Sequence, residues 1–132
     1  MKYLGVDHGT KYIGLAMGDD ETKLALPYDT ITESDIKRQI SAIEQIVLDE
    51  GVDKVVVGYP LTLEGTEDEQ AGVTLSFITE LSGTLSIPIE REDERLTSKF
   101  AQTLQHEAGG DIYDEHALAA TLILQSYIDR QR

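Results

Sequence analysis

Apolar positions come as short runs early in the chain and as helical stripes later. Tyr3-Leu4-Gly5-Val6 ends on an acid, Asp7, and Ile13-Gly14-Leu15-Ala16-Met17 follows across His8-Gly9-Thr10-Lys11. These runs predict a strand over Lys2–Asp7, a tight turn, and a second strand over about Tyr12–Gly18. Asp19-Asp20-Glu21 makes a hairpin turn into a third strand, about Lys23–Tyr28, in which Leu24 and Leu26 alternate. Strands joined by such short turns form an antiparallel meander. The period then changes. Thr32-Glu33-Ser34-Asp35 reads as a helix start with Ser34 or Thr32 as cap, and Ile36, Ile40, Ile43 and Val47 share one helical face up to Gly51.

The continuous run Lys54-Val55-Val56-Val57-Gly58 fits a strand buried on both faces. Tyr59 to Glu67 is a loop punctuated by Pro60 and Gly65. A helix from Thr66 or Asp68 to Leu81 follows, striped by Val73, Phe77, Ile78 and Leu81 and stopped by Gly83. Ile87–Arg91 is a short strand with Pro88 near its start. A helix over about Thr97–Glu107 carries Phe100 and Leu104 and breaks at Gly109-Gly110. The last helix, after Asp111 to Glu115 and ending near Arg130, is apolar on most sides and therefore mostly buried. The order β-β-β-α-β-α-β-α-α predicts an α/β fold: a mixed five-stranded sheet, meander plus parallel strands, with helices packed on it. The 132 residues suit one domain, residues 1–132.

Composition narrows the chemistry. No cysteine is present, which excludes disulfides, thiolate zinc sites and thiol nucleophiles. No apolar run is long enough to span a bilayer, so no membrane is expected and a cytoplasmic location is the default. A net charge of −14 argues against broad nucleic-acid binding, where basic surfaces supply most of the affinity, although one local patch or a bound divalent cation reverses the sign at a site.

Acids recur at similar structural places. Asp7 ends the first strand, Asp93-Glu94 ends the last, and Asp111, Asp114 and Glu115 open the final helix. Loops at strand carboxyl ends form the crevice of an α/β sheet. Converging carboxylates repel unless a hard cation offsets them, and oxygen ligands without cysteine favour Mg²⁺ or Mn²⁺. Ordinary roles compete at each position. Asp7 alone fits an Asx-turn as well as a metal ligand. Asp114 fits an N-cap, Asp93 a turn cap, His116 a satisfied core histidine, and Glu94 an ion pair with Arg91 or Arg95.

Four collinear motifs resemble those of the YqgF (RuvX-like) family. They are Asp7-His8-Gly9-Thr10-Lys11-Tyr12-Ile13-Gly14-Leu15-Ala16; Val56-Val57-Gly58-Tyr59-Pro60-Leu61 with Glu64-Gly65-Thr66-Glu67; Asp93-Glu94-Arg95-Leu96-Thr97-Ser98; and Ala119-Ala120 with Ile123-Leu124-Gln125-Ser126-Tyr127. The resemblance implies a ribonuclease H-like fold and a divalent-metal nuclease. Its implied substrates are structured RNA, in 5′-end maturation of pre-16S ribosomal RNA, or branched DNA at Holliday junctions. Asp7 and Glu94 match the family's first two acids. Where the family has an aspartate three residues before the Ala-Ala pair, this chain has His116, with Asp114 two residues earlier. The expected catalytic set is Asp7, Glu94, His116 and Asp114, with metal on Asp7, Glu94 and Asp114. Asp114 and His116 share the site only if Asp114 lies in the cap, because residues two apart on a helix face different ways. Gly9, Thr10, Lys11, Arg95 and Lys99 are the expected phosphate contacts.

Two readings of other classes stand beside this one. Asp-x-Gly-Thr followed by Ile-Gly also resembles the phosphate loop of sugar-kinase and actin-like ATPases, which duplicate this core. A binding module that has lost catalysis is favoured by His116 and by the charge. A monomer or a homodimer is expected, the latter suiting a two-fold junction.

Overall fold

The computed structural model describes residues 1–60, 69–93 and 114–131. Within them run β1 (Lys2–His8), β2 (Tyr12–Asp19), β3 (Ala25–Thr32), α1 (Ile36–Glu50), β4 (Lys54–Tyr59), α2 (Glu69–Thr84), β5 (Ile89–Asp93) and α3 (Glu115–Arg130). The strands form one five-stranded sheet in the order β3-β2-β1-β4-β5. β1 pairs antiparallel with β2, and β2 with β3, while β1 pairs parallel with β4, and β4 with β5. This is the expected mixed sheet. The expected helix over Thr97–Glu107, the loop after Pro60 and the exact start of α2 lie outside the described residues.

Alternation along the strands splits the core in two. Leu4 and Val6 of β1, Ile13 and Leu15 of β2, and Val55 and Val57 of β4 pack under Ile40, Ile43 and Val47 of α1 and Phe77 and Leu81 of α2. The opposite parity (Tyr3, Ala16, Val56) meets Ala120, Ile123, Leu124, Tyr127 and Ile128 of α3. Each large side chain so buried contributes about 1.5–3 kcal/mol, so the two apolar layers hold the fold.

Several boundaries differ from those read in the sequence. β3 runs on to Thr32 because Thr30, Ile31 and Thr32 pair with Gly14, Ile13 and Tyr12. That displaces the cap of α1 to Asp35, whose side chain accepts from Arg38 N–H at 3.2 Å. Gly51, at φ 65°, closes α1 as expected. β5 begins after Pro88, whose carbonyl accepts from Val55 N–H; the ladder then continues to Asp93 opposite Tyr59. In α2, Val73 is exposed and Ala71 and Thr74 are buried instead, and the helix passes Gly83 to end at Thr84. Leu24 and Leu26 are also exposed, since β3 is the sheet edge and only Ala25 of that strand is fully covered.

Candidate active site at the end of strand β1

Alternation decides which way Asp7 faces. Leu4, Val6 and His8 belong to the α1/α2 side, so Tyr3, Gly5 and Asp7 belong to the α3 side. Asp7 lies directly across from Gly14 of β2. A Cβ on Gly14 would sit 1.8 Å from the carbonyl oxygen of His116. The missing side chain therefore lets the first turn of α3 rest on the sheet beside Asp7. Gly5 repeats this further along, where a Cβ would come within 2.7 Å of Leu124 Cβ.

The result is an open pocket of about 410 Å³ lined by Asp7, His8, the Gly9–Thr10–Lys11 turn, Tyr12, Gln70 and His116. The imidazole of His116 stacks on the Tyr12 ring at 5.0 Å between centroids and 18° between planes. Lys11 Nζ lies 5.4 Å from the same Tyr12 ring. The aromatic sandwich fixes the histidine ring at the pocket mouth. His116 is half-buried and lines the pocket, outside both apolar cores.

Asp114 occupies the cap of α3, the N-cap role its sequence position allowed. Its carboxylate accepts from His116 N–H at 2.8 Å and from the Thr30 hydroxyl at 2.9 Å. Partial burial pushes this carboxyl up, but the bonds from His116 N–H, the Thr30 hydroxyl and Ala117 N–H outweigh it and hold it below the usual range. Asp114 lines a neighbouring groove of about 840 Å³ with Tyr12, Tyr28, Asp29, Thr30 and His116, and is not among the residues lining the Asp7 pocket. Tyr12 and His116 line both.

Glu94, Arg95 and Lys99 lie outside the described residues. Parallel pairing of β1, β4 and β5 does bring the chain just before Glu94 to the same sheet end as Asp7, one strand beyond β4 and hence about 10 Å across. Among the described residues no group of three or more His, Asp or Glu gathers to hold an ion. Of the described donors, the Asp7 carboxylate suits Mg²⁺ or Mn²⁺ with several waters retained, while the His116 imidazole is a nitrogen donor that suits later transition metals better.

Glu90 and Glu92, earlier in the same acidic run, are structural. Glu90 pairs with Lys54 Nζ at 3.2 Å, and Lys54 also donates to the Tyr127 hydroxyl at 3.0 Å. Glu92, 5% exposed, is bound by Arg130 and by the Ser126 hydroxyl at 2.9 Å. Arg91, a candidate partner for Glu94, lies 4.6 Å over the Tyr59 ring.

Sequence reading missed three contributors. Gly14 was read only as part of a motif, yet its lack of a side chain seats α3. Tyr12 was a strand residue with no signal of its stack. Gln39 is the third: at 2% exposed it is buried in α1, with Nε2 against three backbone carbonyls and Oε1 at 3.3 Å from His8 Nε2. Its signal was present, because it sits three residues after Ile36 and four before Ile43, on the apolar face.

No helix among the described residues is long and apolar enough to cross a membrane. Comparison with solved structures finds Thermus thermophilus RuvC at TM-score 0.66 and 14% identity, covering 99% of this chain and 96% of that one. The fowlpox virus Holliday junction resolvase, in its junction DNA complex, matches at TM-score 0.56 and 12% identity over 99% of each chain. At such identities the likeness is one of fold, and that fold is ribonuclease H-like. Curated relatives carry the name "Putative pre-16S rRNA nuclease". One from Chloroflexus aggregans is 38% identical, covering 98% of this chain and 94% of its own length. Another from Rickettsia rickettsii is 33% identical, covering 96% and 84%. The family model described as "RuvX: Holliday junction resolvase" matches residues 1–130. With that span matched and such relatives aligned nearly end to end, the chain belongs to the RuvX (YqgF) family.

Proposed function

We propose that this protein is a divalent-metal-dependent nuclease that hydrolyses phosphodiester bonds in the 5′ processing of pre-16S ribosomal RNA. The observation that carries the proposal is the shared pocket: Asp7, the Gly9–Lys11 turn and His116 converge at the end of β1. The names of the curated relatives point to the RNA substrate. The family model's description supports a second reading, the same hydrolysis on branched DNA.

In this assignment Asp7 and Glu94 hold Mg²⁺ or Mn²⁺, with His116 completing the set or moving a proton at its Nε2 or Nδ1. Such an ion, when bound, polarises the phosphoryl oxygens and lowers the pKa of water. Gly9, Thr10 and Lys11, with Arg95 and Lys99, orient the phosphate backbone. Asp114 is assigned to the cap that aims the first turn of α3, beside rather than within the metal set. The protein acts in the cytoplasm as a monomer or homodimer.

The test is cleavage of a pre-16S leader RNA and of a four-way DNA junction by the same preparation. The RNA is cut in Mg²⁺ or Mn²⁺, a chelator stops the reaction, and the junction is cut more slowly. Faster cutting of the junction selects the second reading, and cleavage of neither substrate removes both.

A further inference from the structure

Gln39 approaches the site from the far side of the sheet. Its Nε2 is 2.6 Å from the carbonyl oxygen of Glu33, 3.3 Å from that of Thr10 and 3.4 Å from that of Gly9. With three carbonyl oxygens around it, this atom must be the amide nitrogen, since the amide oxygen would be repelled there. Oε1 is then turned to His8 Nε2. The carbonyl of Lys11, next in the turn, accepts from Glu33 N–H at 2.9 Å. The two Gln39 amide hydrogens serve the Glu33 carbonyl and, shared between them, the Gly9 and Thr10 carbonyls, so all three carbonyls of the Gly9–Lys11 turn face α1 and the segment leading into it.

The amides follow from peptide geometry. Every described peptide bond is trans, so each C=O points opposite to the next residue's N–H. The Gly9 carbonyl faces Gln39, so Thr10 N–H points away from it. The Thr10 carbonyl does the same, so Lys11 N–H also points away. Away from Gln39 is away from the α1 side, toward the side on which Asp7 faces. Among the described residues neither amide has an acceptor. Two successive N–H groups directed to one side form an anion-binding concavity.

We infer that Gln39 is a positioning residue. By fastening the turn's carbonyls behind the sheet, it presents the Thr10 and Lys11 N–H groups to a phosphate oxygen of a nucleic-acid strand lying across Asp7. This rests on the nuclease reading for the identity of the ligand, and its readouts separate the two.

The experiment records amide resonances of Thr10 and Lys11 while a short oligouridylate is added without divalent metal, in wild type and Gln39→Met. Both resonances shift in wild type. In Gln39→Met, which keeps the length but has no donor, the shifts fall by half or more while the rest of the spectrum stays native. KM for the leader RNA rises about tenfold, with kcat changed less. A merely destabilised protein would lose active fraction, lowering apparent kcat at unchanged KM. Gln39→Glu guards against failure of the first variant to fold. Its protonated carboxyl keeps one donor and its carboxylate none, so KM climbs with pH more steeply than in wild type. Wild-type amides that ignore the oligonucleotide overturn the inference even if the RNA is cut. So do a Gln39→Met variant with wild-type KM and a Gln39→Glu variant with a wild-type pH profile. Amides that shift in a protein that cuts nothing leave the turn's role standing and remove the nuclease reading instead.

Discussion

Asp7 near the end of β1, Tyr12 at the start of β2 and His116 in the first turn of α3 line one pocket. In the proposed assignment Asp7 supplies charge, His116 a ring nitrogen, and Tyr12 the ring on which that imidazole stacks. His116→Ala leaves the helix cap intact, because Asp114 bonds the backbone N–H at that position and not the imidazole. The variant is expected to melt like wild type and to lose cleavage by about 100-fold or more; full activity would return His116 to a supporting role. His8, one residue past Asp7, faces the other way. Its ring stacks on Phe77 at 4.0 Å and is buried. Burial, partly offset by the bond to Gln39, holds its pKa below the ordinary 6.5. The folded protein thus keeps His8 neutral while the unfolded chain takes up a proton first as the pH falls. This contribution to stability is present in full above about 6.5 and is lost as the pH drops through that value toward the lower folded one. Thermal midpoints should therefore fall between about pH 7.5 and 5.5 in wild type and fall less in His8→Leu. Parallel curves for the two would contradict the assignment.

At the scale of elements, the site exists because α3 can touch the sheet. Gly14→Ala drives a Cβ into the His116 carbonyl, and backbone on both sides leaves no flexible atom to yield. The first turn of α3 must lift, at a cost of about 1–3 kcal/mol, and activity falls with it. Gly72→Ala in α2 meets nothing within 4 Å and is expected to stabilise by about 0.5–1 kcal/mol with activity unchanged. Melting and cleavage measured on this pair test the seating of α3 directly; equal behaviour would refute it. Element types were legible because periodicity carries them: alternation in β1 and β2, the β-branched run of β4, and the all-round apolar α3. The end of β3 was not, because Thr30 and Thr32 look like helix-start residues until β2 is seen to pair with them. Leu24 and Leu26 misled for a related reason. Periodicity shows that residues share a face but not whether another element covers it. Gln39 was legible as an anomaly, a polar residue on an apolar face, but three of its four partners come from 29 to 31 residues earlier in the chain and only the fold brings them together.

Across the whole molecule, a chain of charge −14 has to approach a polyanion. Lys11 is the one basic side chain among the described residues that line the Asp7 pocket, and Arg95 and Lys99 follow Glu94 in sequence. Three cations on single-stranded RNA release few counterions. Binding of leader RNA should therefore show a shallow salt dependence, with a log–log slope no steeper than about −2 to −3 in fluorescence anisotropy. A slope near −6 would require a basic surface well beyond these three cations. The fold was readable from four collinear motifs, and with it the place of Asp7 near the end of β1. The division of labour between Asp114 and His116 was not, because it depends on Thr30 crossing from β3 to hold the cap. The most direct measurement of the whole account is single-turnover cleavage of pre-16S leader RNA in Mn²⁺ by wild type and Asp7→Asn at matched thermal stability. The shared pocket predicts a loss of several kcal/mol in transition-state stabilisation, on the order of 100-fold or more. Equal rates for the two proteins would contradict it.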